Sequence, residues 1–317
     1  VQENKELEVA QNDAGKRFDR ILRQAFPEAS LGQIYRAIRK GKARVNGRKV
    51  GNSYRVAEGD IIQLRGVDLG ALPTDGGVQG TMLDRPKGLV FENEHIAVFS
   101  KPIGLPTLGR GSLAEKVGAY LRTNTASSLT FSPAPLHRLD RNTSGLIVFS
   151  KSLEGARKFS RLLREQGLTK LYLAVLGGSL RVDTEVDAPL SRNEEARRTE
   201  AGSGKEALTA FWPLSGTSEA TLAACRIGGG RTHQIRAHAS FIGHPLLGDG
   251  KYGGAHSPCA GYVLHAAYLG FPETGDPLFP TGLRAPLPDQ SKACLERVIG
   301  KSEAAAGLAR FVELIST

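Results

Sequence analysis

Apolar residues recur along the first part of the chain at two different periods, and each period marks out an element. Phe18, Ile21, Leu22, Ala25 and Phe26 fall at i, i+3, i+4, i+7 and i+8, one face of a helix. Leu31, Ile34, Tyr35 and Ile38 repeat that spacing after Ser30, whose hydroxyl suits an N-cap, and Gly41 closes the segment. Ala43-Arg44-Val45 then enters an Asn46-Gly47 turn, and Ile61 to Leu64 follows Gly59-Asp60 as a later strand. The pattern predicts a compact module of two short helices and a small sheet over residues 13–65. Gly66, Gly70, Pro73, Gly76, Gly77, Gly80, Pro86 and Gly88 then deny residues 66–88 a regular element, so that stretch reads as a flexible linker and the module as tethered rather than docked.

From Leu89 the pattern changes. Leu89 to Phe91, His95 to Phe99, Leu146 to Phe149, Leu171 to Leu176, Leu208 to Pro213 and Ala220 to Arg226 read as strands. Ser112 to Arg122 and Leu153 to Gln166 carry helical spacing, and the alanine-rich Ser291 to Ile315 reads as one more helix. Strands and helices do not alternate strictly, which excludes a doubly wound fold. Residues 89–317 are expected to form an α+β domain on a largely antiparallel mixed sheet flanked by helices. Within Leu171 to Leu176, Leu171, Leu173 and Val175 face one side of the sheet, and Tyr172, Ala174 and Leu176 the other.

Charge sharpens the division. Between Lys16 and Arg65 stand thirteen Lys or Arg against four acids, a surplus of nine within a formal net charge of +10 for the whole chain. Arg36, Arg39, Lys40, Lys42 and Arg44 fall at the end of the second helix and the start of the hairpin, outside the apolar positions, where they can form one basic edge. Such an edge favours a polyanionic partner, because each neutralised phosphate releases counterions. Cys225, Cys259 and Cys294 are odd in number, far apart and without CxxC spacing, so neither a disulfide framework nor a zinc site is expected. No long apolar run suggests a membrane span, and a cytoplasmic monomer is expected.

The stretch with most chemical content runs from His137 to Gly145, His-Arg-Leu-Asp-Arg-Asn-Thr-Ser-Gly. It places Asp140 on a polar turn between Pro133/Pro135 and the apolar Leu146 to Phe149, at the lip of a core. Aspartates often serve such turns only by bonding nearby backbone. The whole string, however, closely resembles the HRLDxxTSG signature of pseudouridine synthases that modify ribosomal and transfer RNA. Asn142 departs from it, at a position that is often acidic. Three later segments match that family in order: Lys170 to Ala174, Gly230 to His238 (G-R-T-H-Q-I-R-A-H), and Leu264-His265-Ala266. Lys101 to Pro106 and Gly243 to Asp249 fit it as well. The string from Arg17 to Leu64 resembles the S4 RNA-binding domain, and together the two resemble ribosomal large-subunit pseudouridine synthases.

The resemblance implies an isomerase that needs no cofactor: the C1′–N1 bond of a uridine breaks, the uracil turns, and C5 bonds to C1′. Glycoside hydrolysis normally employs two carboxylates and a water; here one aspartate stands out. Family likeness gives Asp140 the essential role, either attacking C1′ or taking a proton from the sugar. It makes Arg236 the guanidinium that keeps Asp140 charged and oriented, with Arg231 the competitor for that place. Tyr172 would stack on the base and serve proton exchange at C5. Arg138 would fill the space left by the flipped nucleotide, His137 would brace the turn, Lys170 would contact phosphate or support the fold, and Leu264 would pack beneath the uracil. The implied partner is structured RNA, foremost 23S ribosomal RNA or a large-subunit precursor. Two rival readings are transfer RNA as substrate and an inactive RNA-binding assembly factor. His233 and His238 lie five apart, without the i, i+4 spacing or acids of a metal site, and no glycine-rich stretch has a P-loop tail. Glu194 to Lys205 reads as a mobile RNA-facing loop.

Overall fold

The computed structural model describes residues 4–70, 84–272 and 278–316. The N-terminal module holds β1 (Lys5–Glu8), α1 (Phe18–Ala25), α2 (Leu31–Arg39), β2 (Ala43–Val45) and β3 (Ile61–Leu64), with β3 antiparallel between β1 and β2. Both helices bury their apolar stripes against this sheet. The exceptions are Leu31 and Tyr35, expected in the stripe of α2 but 44 % and 41 % exposed. Ser30 caps α2 as part of a capping box, its hydroxyl accepting from Gln33 N while the Gln33 side chain accepts from Ser30 N. The apolar cluster of the module extends from Leu7 to Leu69. It therefore begins ahead of residue 13 and takes in the first residues read as linker; 71–83 of that linker lie outside the described residues.

The larger domain runs through β4 (Leu89–Glu92), β5 (Ile96–Lys101), α3 (Leu113–Thr123), β6 (Ser144–Ser150), α4 (Leu153–Arg164), β7 (Thr169–Gly177), β8 (Thr184–Asp187), β9 (Leu190–Asn193) and β10 (Arg198–Ala201). It continues with β11 (Leu208–Gly216), β12 (Ala220–Ile227), α5 (Gln234–Phe241), β13 (Leu264–Gly270), β14 (Gly282–Arg284), α6 (Asp289–Ile299) and α7 (Lys301–Leu314). One sheet has the order β4-β5-β6-β13-β7-β12-β11-β8, with β14 against β13. Among the described residues only the β6–β13 pairing is parallel. This is the α+β architecture with a largely antiparallel mixed sheet that the pattern predicts.

The two-residue alternation of the strands sorts their side chains into layers. Phe99, Ile147, Phe149, Tyr172, Ala174 and Cys225 share one core with Ile235 and Ala239 of α5. Leu171, Leu173, Val175, Leu222 and Ala224 point the other way, onto Leu295 of α6 and Phe311 of α7. Tyr172 thus lies on the face that carries the site.

Several expectations are corrected. The C-terminal helix breaks at Gly300, whose φ of +89° is left-handed, and becomes two packed helices. The charged stretch read as a loop instead completes an antiparallel β9–β10 hairpin that turns at Arg197. Cys259 and Cys294 form a disulfide across a sequence separation of 35, with Cα atoms 5.8 Å apart. Their wide spacing hid a pairing that arises only when the segment before β13 folds onto α6. The module is also docked rather than merely tethered: Asp13 accepts hydrogen bonds from Ser128, Leu129 and Thr130 of the larger domain. Among the described residues no helix is long and apolar enough to cross a membrane.

Candidate active site

The turn that bears Asp140 is pinned from both sides. Thr143 N donates to Asp140 O at 3.0 Å, closing the turn. Two residues later Gly145 begins the approach of β6 to β13 at φ +112°, where a Cβ would lie 2.2 Å from Ala266 O. Only glycine allows that approach, which explains the last residue of the HRLDRNTSG string. On the other side, the Thr107 hydroxyl donates to Leu139 O at 2.9 Å and accepts from Leu139 N at 3.1 Å. Lys101, wholly buried, donates to the carbonyls of Pro102, Leu105 and Arg141. Burial brings its ammonium down to about 8, with the Asp140 charge acting in the opposite sense. The Lys101 to Thr107 segment is thus a clamp on the backbone around Asp140.

Asp140 looks into a pocket lined by Arg138, Thr143, Tyr172, Ile227, Arg231, His233, Arg236 and Leu264, among others. It is the one carboxylate among these lining residues. Tyr172 and Leu264 come from neighbouring strands, since Ala266 of β13 pairs with Tyr172 of β7, and both are nearly buried. Burial, and then the charge of Asp140, push the Tyr172 hydroxyl well above its ordinary value, so it stays protonated.

Arg236 stands beside Asp140 but makes its hydrogen bonds to another carboxylate. Its guanidinium clasps Asp249, with Nε–Oδ2 at 2.6 Å and Nη2–Oδ1 at 2.9 Å. Nη1 stands 3.8 Å from Asp140 Oδ2, and the rings of Tyr252 and Tyr262 lie 4.8 and 4.7 Å from its centre. Burial opposes its charge, but Asp249, Tyr262 and Asp140 more than restore it. Arg236 is therefore a fixed cation beside Asp140, with its bidentate bonds on Asp249. Arg231 does not reach Asp140; its Nε donates to Glu206 O.

His233 was set aside as a metal ligand and belongs to the site for another reason. At the N-terminus of α5, with φ +57°, it turns Nε2 to within 3.7 Å of Asp140 Oδ2 while Nδ1 pairs with the Tyr252 hydroxyl at 2.9 Å. Burial lowers its pKa despite the nearby Asp140. Asp249 and Tyr252 were also missed as site residues; Gly248-Asp249 within a matching segment was their one signal. His238 is buried, with its ring nitrogens on Thr209 and Ala188 O.

His137 and Lys170 stand behind the site. His137 accepts from Val148 N at 3.0 Å and stacks on Phe159, and burial drops its pKa to about 4, so it braces the turn as a neutral ring. Lys170 donates to Gly229 O and holds the glycine run ahead of Arg231; burial lowers it to about 8. Arg138 and Arg231 also line the adjoining cleft with Arg192 and Lys205. In the module, Arg36, Arg39 and Lys40 are exposed. Lys42 reaches Gly66 O, and Arg44 is half-buried on the carbonyls of Gly41 and Gly47, so Arg44 secures the hairpin turn.

Residues 95–241 match the RNA pseudouridylate synthase family model, and residues 16–62 match the S4 domain model. The chain is 32 % identical over 314 residues to ribosomal large subunit pseudouridine synthase C of Salmonella typhi, covering 93 % of this chain and 96 % of that protein. It is 30 % identical to the uncharacterized RNA pseudouridine synthase YlyB of Bacillus subtilis, over 92 % of this chain and 97 % of that one. The solved structure of human RNA Pseudouridylate Synthase Domain Containing 4 shares the fold at a TM-score of 0.54 and 22 % identity, over 66 % of this chain and 93 % of that one. The chain belongs to the RNA pseudouridine synthase family and is an isomerase of that class.

Proposed function

We propose that this protein converts uridines of 23S ribosomal RNA to pseudouridine, with Asp140 as the catalytic carboxylate acting on a nucleotide taken out of its stack. The observation that carries the reading is the single carboxylate lining the pocket. A hydrolase working with two carboxylates would present a second one beside its water, whereas Asp249 is buried and occupied by Arg236. The ribosomal substrate is supported by relatives such as the Salmonella typhi large-subunit enzyme.

In this reading the uracil enters between Tyr172 and Leu264, and stacking there offsets the cost of unpairing. Arg138, exposed at the rim, occupies the gap left in the RNA. Asp140 engages the ribose as the C1′–N1 bond breaks and N1 leaves with the electron pair; Arg236 stands beside the carboxylate, the uracil turns, C5 bonds to C1′ and Asp140 is released, the proton on C5 passes to water, and N1 takes a proton from water. Tyr172, held protonated, stacks and relays rather than standing as a phenolate base. The base is retained and no electrons leave, so the reaction proceeds without a cofactor. Arg192, Lys205 and Arg231 in the adjoining cleft take flanking phosphates, and the exposed Arg36, Arg39 and Lys40 grip RNA further away. The protein acts as a monomer in the cytoplasm.

The test is tritium release from 23S and transfer RNA transcripts labelled at uridine C5, with wild type and Asp140→Asn. Release from the ribosomal transcript by wild type alone is expected, with RNA binding retained in the variant. Release from transfer RNA only would replace the substrate, and turnover by Asp140→Asn comparable to wild type would remove Asp140 from its role.

A further inference from the structure

The buried carboxylate of Asp13 has no part in the pocket, yet it is 0 % exposed and surrounded by donors from the other domain. Ser128 Oγ donates to it at 2.8 Å, Leu129 N at 2.8 Å and Thr130 Oγ1 at 2.5 Å. Ser128 Oγ itself accepts from Thr130 N and Phe131 N, which turns its own proton toward Asp13. Lys16 reaches Thr130 from the module side and lies 3.8 Å from Asp13. Next to Asp13, Asn12 accepts from Leu153 N at 2.8 Å, at the start of α4. Leu129 packs against the apolar core of the module.

A buried charge is tolerated in one register only, where its donors meet it; an apolar contact alone would let the domains slide. The segments held are those flanking β6: residues 128–131 lead into the turn of Asp140, and Leu153 follows the strand. We propose that Asp13 is a positioning residue for substrate selection, latching the basic module to the segments on either side of β6 so that gripped RNA meets Asp140 from one fixed direction. This rests on the reading of the chain as an RNA-binding synthase.

The experiment uses the full chain as wild type, Asp13→Ala, and the double variant Ser128→Ala/Thr130→Val that removes donors from the opposite side. Hydrogen exchange at the Leu129 and Leu153 amides reads the latch without RNA, and both variants are expected to speed it while the rest of the chain stays protected. With the 23S transcript, KM for tritium release is expected to rise about tenfold at unchanged kcat, as a fixed local RNA geometry becomes a loose one. Pseudouridine is expected to spread to additional positions. A purely structural role would lower kcat and global protection instead. Faster exchange with unchanged KM and unchanged positions overturns the proposal, as does unchanged exchange. Should wild type release no tritium, the proposed function fails separately, and unaltered affinity of Asp13→Ala for the transcript then overturns the latch.

Discussion

Replacing Asp249 by alanine separates the two loads that Arg236 carries. The Arg236 side chain is 6 % exposed as a residue, clasped by Asp249 through two bonds of 2.6 and 2.9 Å, and its next carboxylate, Asp140, is 3.8 Å away. Removing one partner of a buried ion pair costs about 3–5 kcal/mol, because the remaining charge is left desolvated. With the melting temperature moving by about 2–4 °C per kcal/mol in a domain of this size, the midpoint should fall by about 10 °C. The freed guanidinium then closes the gap to Asp140 and draws the carboxylate off its line to the ribose; a displacement of about 1 Å can lower kcat about 10²-fold. Asp249→Asn keeps an acceptor for Nε and should lie between the two. The assay is thermal unfolding paired with tritium-release kinetics below the transition. An Asp249→Ala protein with wild-type midpoint and wild-type kcat would refute the reasoning, and a lost midpoint with intact kcat would confine Asp249 to stability.

Tyr172→Phe should bind the 23S transcript as wild type does while turnover falls about 10²-fold, the usual reach of a proton-transferring group; unchanged kinetics would leave Tyr172 a stacking face only. Cys294→Ser opens the bridge to Cys259 and should lower stability by up to about 4 kcal/mol for a closed loop of this length; equal midpoints for variant and wild type in the absence of reductant would show the bridge contributes nothing. Lys101 gives a pH dependence of definite sign. Its folded value of about 8 lies below the ordinary 10.5, so in that window the unfolded chain binds the extra proton and stability rises with pH. Denaturant titrations from pH 8 upward should show this increment in wild type and its loss in Lys101→Met, and parallel curves would contradict it.

The stripes at Phe18 to Phe26 and Leu31 to Ile38 were legible because a helix against a sheet needs one apolar face, whatever surrounds it. The strands at Leu171 to Leu176 and Ala220 to Arg226 were legible for the same reason, as were the sides on which Tyr172 and Leu173 lie. Local pattern failed where a neighbour decided the outcome. Leu31 and Tyr35 have helical spacing but stay exposed. β13 begins at Leu264 in a run that shows little periodicity, because both its faces are covered. α5 was read as a motif rather than as a helix. The bridge between Cys259 and Cys294 depends on how two distant segments pack, which spacing alone does not reveal.

Within the site, the chain by itself pointed to the candidate residues: Asp140 on its turn, Tyr172 on the strand face that lines the pocket, and an arginine at position 236. The turn and the strand face follow from local pattern, and the choice of these three residues follows from short motifs that resemble the family's. Only the tertiary structure decided how they are wired. It gave the bidentate clasp of Arg236 to Asp249, brought His233 toward Asp140, put His137 and Lys170 behind the pocket, and seated the module on Ser128 to Thr130. Each of these joins groups from separate elements, where burial makes the choice of partner decisive; hydrogen-bond and charge complementarity at that range exist only once the sheet has brought the elements together.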